Sequence, residues 1–332
     1  MKLRSIMAAI GLSSALLLPQ VGAAKTLKVL SAFDSNFIFT ETMLKPFMKK
    51  VEKKTDGRIT FQFNGPEVVP TFEQFEPVQS GVFDILFCHP GYHSGNVALG
   101  VTIDAIEPDP QKRRSSGIWD YMDTHYQKHG MKLLAMPPQG EKALIFILKE
   151  ALDRSSDQPF AGKKLRANVT YDGLVKSLGG ASVLMSGGEI YSALQTGLID
   201  GAAWSVVGPM SFKWPEVAKY WVEPSYGQTS EFLAMNLDTW NSLDEQDQKA
   251  IAEAGRELEV ETMELFNKLN QKERDDMRAA GMAPTYLSDA VAKKVDYLLA
   301  EGVWKLGQDK GGKEVVEFRK LAESKGMTPS AQ

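Results

Sequence analysis

Leu194-Gln195-Thr196-Gly197-Leu198-Ile199-Asp200 echoes an earlier stretch of the same chain, Val78-Gln79-Ser80-Gly81-Val82-Phe83-Asp84. Each copy reads as a helix that stops at glycine and passes at once into a short apolar strand. Glycine suits the stop because it tolerates the left-handed backbone that ends helices. Two copies so far apart predict two α/β lobes of related design, and two such lobes imply a cleft between them. A cleft points to ligand binding before any catalytic residue is sought.

Working outward from the copies, the pattern alternates strand and helix. Residues 28–30 read as an opening strand with Leu27 on its approach. A helix over 40–55 follows, with Met43, Leu44, Phe47, Met48 and Val51 at near-helical spacing. Thr55-Asp56-Gly57 ends it, and 59–63 alternates as a strand should. A helix over 71–80 leads into the first copy and a strand over 83–87. Residues 140–148 carry a strand that crosses to the second lobe, and 153–162 is a polar connector. Strands over 165–167, 182–184 and 198–204 then alternate with helices over 171–178 and 188–196. This alternation predicts a largely parallel sheet. Residues 242–280 read as one long helix or two end to end, with Ile251, Ala254, Leu258, Leu265 and Leu269 as the buried stripe.

Residues 1–24 read as a removable targeting segment. Lys2 and Arg4 give the positive start, 6–18 the apolar core, and Gly22, Ala23 and Ala24 a cleavage site. No later stretch approaches the ~18 apolar residues of a membrane span. About 308 residues remain, enough for two lobes with real cores. The formal net charge of −4 and the lack of a dense Lys/Arg stripe exclude a nucleic-acid partner. Lys49, Lys50, Lys53 and Lys54 do cluster, but at a helix end where cations suit the dipole. Cys88 is the one cysteine, so no internal disulfide is expected, and none sits at the targeting segment's end to take a lipid. A soluble, unanchored protein of the periplasm fits, with free secretion as the alternative.

In open α/β sheets ligands bind beyond the carboxyl ends of the strands. That rule selects Cys88-His89 in one lobe and Ala203-Trp204-Ser205 in the other, and puts Arg166 near the mouth. Arg166 sits among Leu165, Ala167 and Val169, where a guanidinium is costly to bury unless an anion accepts its N–H fork. Two readings stand: an internal salt bridge, or bidentate capture of a ligand carboxylate. Trp204 reads either as core or as a wall that stacks on a flat ligand. The pairs His89/His93 and His125/His129 have spacings a metal could use, but neither brings a third ligand, so no metal is expected. His125 and His129 read as decoration of a solvated helix face. There is no Gly-x-Ser-x-Gly elbow, His-Glu-x-x-His, phosphate-cradling loop or Gly-x-Gly-x-x-Gly, so neither an enzyme nor a cofactor is expected.

The run Phe160-Ala161-Gly162-Lys163-Lys164-Leu165-Arg166, then Leu178-Gly179-Gly180-Ala181 and Glu189 to Gly201, resembles the solute-binding subunits of TRAP (tripartite ATP-independent periplasmic) transporters. Thr55-Asp56-Gly57-Arg58-Ile59 upstream and Met235-Asn236-Leu237-Asp238-Thr239-Trp240-Asn241 downstream fit the same pattern. The resemblance implies an α/β, two-lobed periplasmic-binding-protein-like fold with a hinge and a long bridging helix, closing over its ligand. Lobe I would hold 25–139 plus about 233–270, and lobe II 140–232 plus about 271–332. It further implies that Arg166 grips a substrate carboxylate, and that the partners are two integral membrane subunits and a small organic acid. Many members carry a second arginine on the crossing strand, where this chain offers Lys142, a point charge that cannot reproduce a second fork. Trp204 stands where sialic-acid binders have asparagine, and Gly187-Gly188 where they have phenylalanine, so the pocket is reshaped and sialic acid is disfavoured. The expected site is Arg166, Trp204, Lys142, His89, Phe33, Asn36, Tyr92, Gly187 and Ser205, with Phe37 nearby, around a small carboxylate with an apolar or aromatic body. A sensor subunit docking on a signalling receptor is the alternative function.

Overall fold

A computed structural model describes residues 24–330. The targeting segment expected over 1–24 therefore lies outside the described residues, Ala24 apart. Eleven strands form two sheets: β1 (Lys25–Ser31), β2 (Ile59–Asn64), β3 (Ile85–Cys88), β4 (Met131–Ala135), β5 (Leu144–Leu148), β6 (Lys164–Arg166), β7 (Ala181–Val183), β8 (Gly201–Ser205), β9 (Tyr220–Glu223), β10 (Phe232–Asn236) and β11 (Ala283–Tyr286). The first sheet runs β2-β1-β3-β10-β4 and the second β11-β9-β5-β8-β6-β7. Every residue of β5, β8 and β10 is buried, so these short apolar runs are the cores of their sheets.

The two copies of the echo are built alike down to single hydrogen bonds. Gly81 (φ +78) and Gly197 (φ +74) both take the left-handed conformation. After each glycine the next two N–H groups turn back to one helix carbonyl: Val82 and Phe83 to Pro77, Leu198 and Ile199 to Ala193. Both are tight helix ends of the kind that satisfies orphan carbonyls. Asp84 Oδ2 accepts from the Lys28 N–H at 2.7 Å, and Asp200 Oδ2 from the Lys164 N–H at 2.7 Å. Each aspartate thus ties its strand to a parallel neighbour, β3 to β1 and β8 to β6. The turn uses Phe83 and Asp84, so β3 begins two residues later than expected.

The sheets are mixed where a largely parallel arrangement was expected. β10 is antiparallel to β3 and β4, and β5 to β8 and β9. The reason is topological: each is the strand by which the chain enters one lobe from the other, so it runs against its neighbours. The two crossing segments pair with one another, Gln139 N–H to Thr229 O at 3.1 Å and Glu231 N–H to Pro137 O at 3.0 Å.

Residues Glu245–Ala279 form one helix of 35 residues that runs along both lobes. Ile251, Ala254 and Leu258 are buried as expected, but Leu265 and Leu269 are not. The buried face continues instead through Thr262, Phe266, Asn270 and Glu273. Beyond Leu258 the helix crosses the hinge, where backbone groups need partners more than apolar cover. Asn270 Nδ2 accordingly donates to Gln139 O, and Glu273 Oε1 accepts from the Gly208 and Met210 N–H groups. The last helical stretch, Val295–Ser324, is broken by a kink at Gly312 (φ 53, ψ −129) and touches both lobes. Gly302 lies against Gly173 of the second lobe, Gly307 and Gly311 against Thr102 and Ala98 of the first. Glycine at these contacts lets two backbones approach closely. Beyond them, the Tyr121 hydroxyl donates to Glu314 O at 3.0 Å, and His125 is buried 3.1 Å from Glu314. His125 is therefore covered by the last helix, not placed on a solvated face.

Candidate functional site

The carboxyl ends of β1, β3, β6 and β8 converge with the crossing segments on one cavity between the sheets. It is lined by Phe33 and Phe39, His89 and Tyr92, Gln139, Arg166, Asn168, Tyr171, Trp204, Ser205, Thr229 and Glu231. Its free space is only about 10 Å³, room for about one water molecule. The two lobes thus lie closed upon one another.

Arg166 ends β6 and is fully buried. Its Nε donates to Met185 O at 3.0 Å and its Nη1 to Ala203 O at 3.0 Å. Its Nη2 has no partner. Among the described residues no carboxylate forms an ion pair with it, so the internal salt-bridge reading lacks an acid. Burial lowers its pKa, with the nearby hydroxyls of Tyr92 and Tyr171 acting the other way; the Tyr92 hydroxyl approaches the guanidinium, but without the geometry of a hydrogen bond to Nη2. A guanidinium is too basic to give up its proton in a protein and stays charged here. A buried donor left unmade costs about 1–3 kcal/mol, and more for a charged group. An anion at Nη2 would remove that penalty with a charge-assisted bond.

The wall beneath the guanidinium is Trp204, whose ring centroid lies 4.6 Å from Arg166 Cζ. Phe212 and Trp214 meet Trp204 edge-on at 5.5 and 5.7 Å, fixing the indole plane. Gly187 makes room for it: a Cβ there would fall 2.7 Å from Trp204 Cη2. Gly187 therefore acts by admitting the indole rather than by lining the cavity. Opposite stands Phe33, held by the Ser31 hydroxyl, which accepts from its N–H at 3.1 Å. Phe33 stacks on Phe37 at 5.3 Å and meets Phe39 edge-on at 5.3 Å.

His89 follows β3 directly and caps the turn Pro90–His93. Its Nδ1 accepts from the Gly91 N–H at 3.0 Å, so the proton of the neutral ring sits on Nε2, 3.1 Å from Asp104 Oδ2 and 3.0 Å from Thr229 Oγ1. Burial opposes its cation, but Asp104 outweighs burial and raises the pKa. Burial also pushes Tyr92 up to about 12 and Glu231 up to about 7. Glu231 is 2 % exposed; its Oε1 accepts from Gln139 Nε2 at 2.8 Å.

Of the residues expected from sequence, Arg166, Trp204, His89, Phe33, Tyr92 and Ser205 line this cavity, and Gly187 backs it. Lys142 and Asn36 do not. Lys142 is half exposed and pairs with Asp296 at 2.5 Å, in a separate depression. Gly140, at φ +93, turns the crossing segment so that Gln139 is the side chain delivered inward. Asn36 is exposed on the outside of the turn whose inner face carries Phe33 and Phe37. Phe39, Gln139, Asn168, Tyr171, Thr229 and Glu231 escaped sequence reasoning. Glu231 carried a usable signal: a carboxylate opening the apolar run Phe232-Leu233-Ala234-Met235, the same anomaly that exposed Arg166. Among the described residues no group of three or more His, Cys, Asp or Glu is placed to hold a metal ion, and no helix is long and apolar enough to cross a membrane.

Comparison with known proteins follows the same lines. Residues 34–304 match the model of the bacterial extracellular solute-binding proteins, family 7. A solute-binding protein of Albidiferax ferrireducens is 25 % identical over 279 residues, 80 % of this chain and 81 % of that one. A TRAP periplasmic solute-binding protein of Desulfovibrio salexigens, solved with bound orotic acid, superposes with a TM-score of 0.80 at 19 % identity, covering 90 % of this chain and 98 % of that one. A Bordetella pertussis extracytoplasmic solute receptor binding pyroglutamic acid gives 0.78 at 16 %, covering 90 % and 100 %. The two-lobed periplasmic-binding-protein-like α/β fold expected from sequence is the one these structures share.

Proposed function

The chain belongs to the bacterial extracellular solute-binding proteins of family 7, and we propose that it captures a small monocarboxylate in its interlobe cavity and delivers it to a TRAP transporter. The observation that carries this reading is Arg166 Nη2, a buried charged donor without an acceptor in a cavity walled by Phe33, Phe39, Tyr92 and Trp204. One fork and an aromatic enclosure suit one carboxylate on an apolar or aromatic body. The ligands of the Desulfovibrio and Bordetella proteins, carboxylic acids on small rings, support that scale.

Entry requires the lobes to part about the crossing segments 136–143 and 224–231, a hinge motion of the kind binding proteins use. The protein is exported to the periplasm, where it performs no chemistry on the ligand and hands it unchanged to two integral membrane subunits. A panel of organic acids in a thermal-shift assay tests this, because a ligand bound only by the native state raises Tm by mass action. Simple monocarboxylates should raise Tm, and Arg166→Ala should remove the shift while the protein stays folded. Stabilisation by multiply charged, polar acids alone would sink the apolar-body assignment.

A further inference from the structure

The cavity holds two unsatisfied acceptors as well as the unsatisfied donor. Glu231 Oε2 and Gln139 Oε1 are both buried without a partner. The two side chains are joined, since Gln139 Nε2 donates to Glu231 Oε1 at 2.8 Å, so their free oxygens belong to one patch of the wall. That bond also fixes the amide, because turning it over would set two oxygens together. Several of the nearby donors are committed elsewhere, and the hydroxyls of Tyr92, Tyr171 and Ser205, which line the same space, bond neither free oxygen. His89 Nε2 serves Asp104 and Thr229, the Thr229 hydroxyl donates to Asp104 at 2.9 Å, and the Thr170 N–H and hydroxyl are taken by Asn168 Oδ1. Trp204 Nε1 is also unpartnered, but it faces Gly208, away from the cavity. Nor does Arg166 reach Glu231 to form an ion pair, although both line the same space.

The cavity is therefore polarised. Lobe II presents a charged donor at Arg166 Nη2, and the hinge presents two acceptors, one on a carboxyl group. A simple carboxylate satisfies the first pole and leaves the second bare. With Glu231 ionised, a hydroxyl supplies one proton where two acceptors wait, whereas a cationic nitrogen beside the carboxyl itself favours the ionised form. A nitrogen with two or more N–H groups meets both oxygens and carries no lone pair when protonated. We infer that the ligand is an amino or imino acid, its carboxylate on Arg166 and its ammonium nitrogen between Glu231 Oε2 and Gln139 Oε1. The inference rests on the carboxylate reading of Arg166 and adds the second pole. Such a ligand spans from β6 to the crossing segment that leads into β10. It joins the two lobes around it once they part further than in the present closed arrangement, which has room for about one water.

Calorimetric titration with matched acids that differ only by the nitrogen tests this. Suitable pairs are piperidine-2-carboxylate with cyclohexanecarboxylate, proline with cyclopentanecarboxylate, and phenylalanine with 3-phenylpropionate. The nitrogen-bearing member of the pair that fits should bind about tenfold or more tightly, the scale of a hydrogen bond to a charged group. Glu231→Gln, which keeps the contact with Gln139, should shrink that preference to less than about threefold, with the fold checked by its unliganded Tm. Equal or tighter binding of the nitrogen-free acids overturns the inference and leaves the Arg166 reading intact. So does a preference that survives Glu231→Gln. Binding of none of the acids, of either kind, overturns both.

Discussion

Arg113 and Arg166 are both buried arginines with no acidic partner in hydrogen-bond contact, and they do opposite things. Arg113, in the first lobe, spends its donors on that lobe and the hinge: Nε on Glu107 O at 2.7 Å, Nη1 on Ser230 Oγ at 2.8 Å, and Nη2 on Ile106 O at 3.3 Å and Gln228 Oε1 at 2.9 Å. Arg166, across the cleft, closes two bonds and leaves Nη2 open. Two carboxylates repeat the contrast. Glu259 is satisfied by Arg114 and the Met136 N–H, whereas Glu231 keeps one oxygen free. Burial of a charge does not mark a binding site. A charged group buried with a donor or acceptor left over is the stronger sign, because the unmade bond of a charged group costs the fold most.

The largest effect should come from setting the two arginines side by side. Arg113→Met strips four acceptors, two of them at the hinge, and should lower unfolding free energy by about 3–5 kcal/mol in urea titrations. Arg166→Met removes a buried charge that is only partly bonded, so it should cost about 1 kcal/mol in the unliganded protein. Equal losses at both sites would break the distinction between scaffold and site.

Glu231 gives a smaller, pH-dependent effect. Burial raises its carboxyl from 4.5 to about 7, so the fold holds a proton that the unfolded chain has already released. Its contribution is complete below pH 4.5 and is lost as pH rises through about 7, by up to about 3 kcal/mol. Glu231→Gln should flatten that slope in unfolding midpoints measured from pH 5 to pH 8. A slope unchanged by the substitution would place the titration elsewhere.

Lys142 should give the smallest effect. Its exposed pair with Asp296 predicts a change within about 0.5 kcal/mol for Lys142→Ala and an unaltered ligand-induced Tm shift. A lost shift would return Lys142 to the site.

The residues legible in sequence were those that violated their surroundings or ended a strand. Arg166 stood out in an apolar run, and His89 and Trp204 followed from the strand ends after the two echoes. Lys142 lies outside this cavity, its charge having been read without register: Gly140 turns the segment, and Gln139 faces inward instead. Leu265 and Leu269 were misassigned because the long helix changes neighbours along its length, and polar Thr262, Asn270 and Glu273 face the hinge.

What the sequence alone determined is local: helix ends at Gly81 and Gly197, the aspartates behind them, the alternation of elements, and the two-lobed plan. These depend on residues adjacent in the chain, whose conformational preferences act at short range. Which charges are satisfied is a different matter. Arg113 meets Ser230 and Gln228, and Gln139 meets Glu231, across spans of chain that only the crossing segments bring together. Tertiary structure alone decided which buried groups remain unpaired, because pairing belongs to two residues in space and to neither one in sequence.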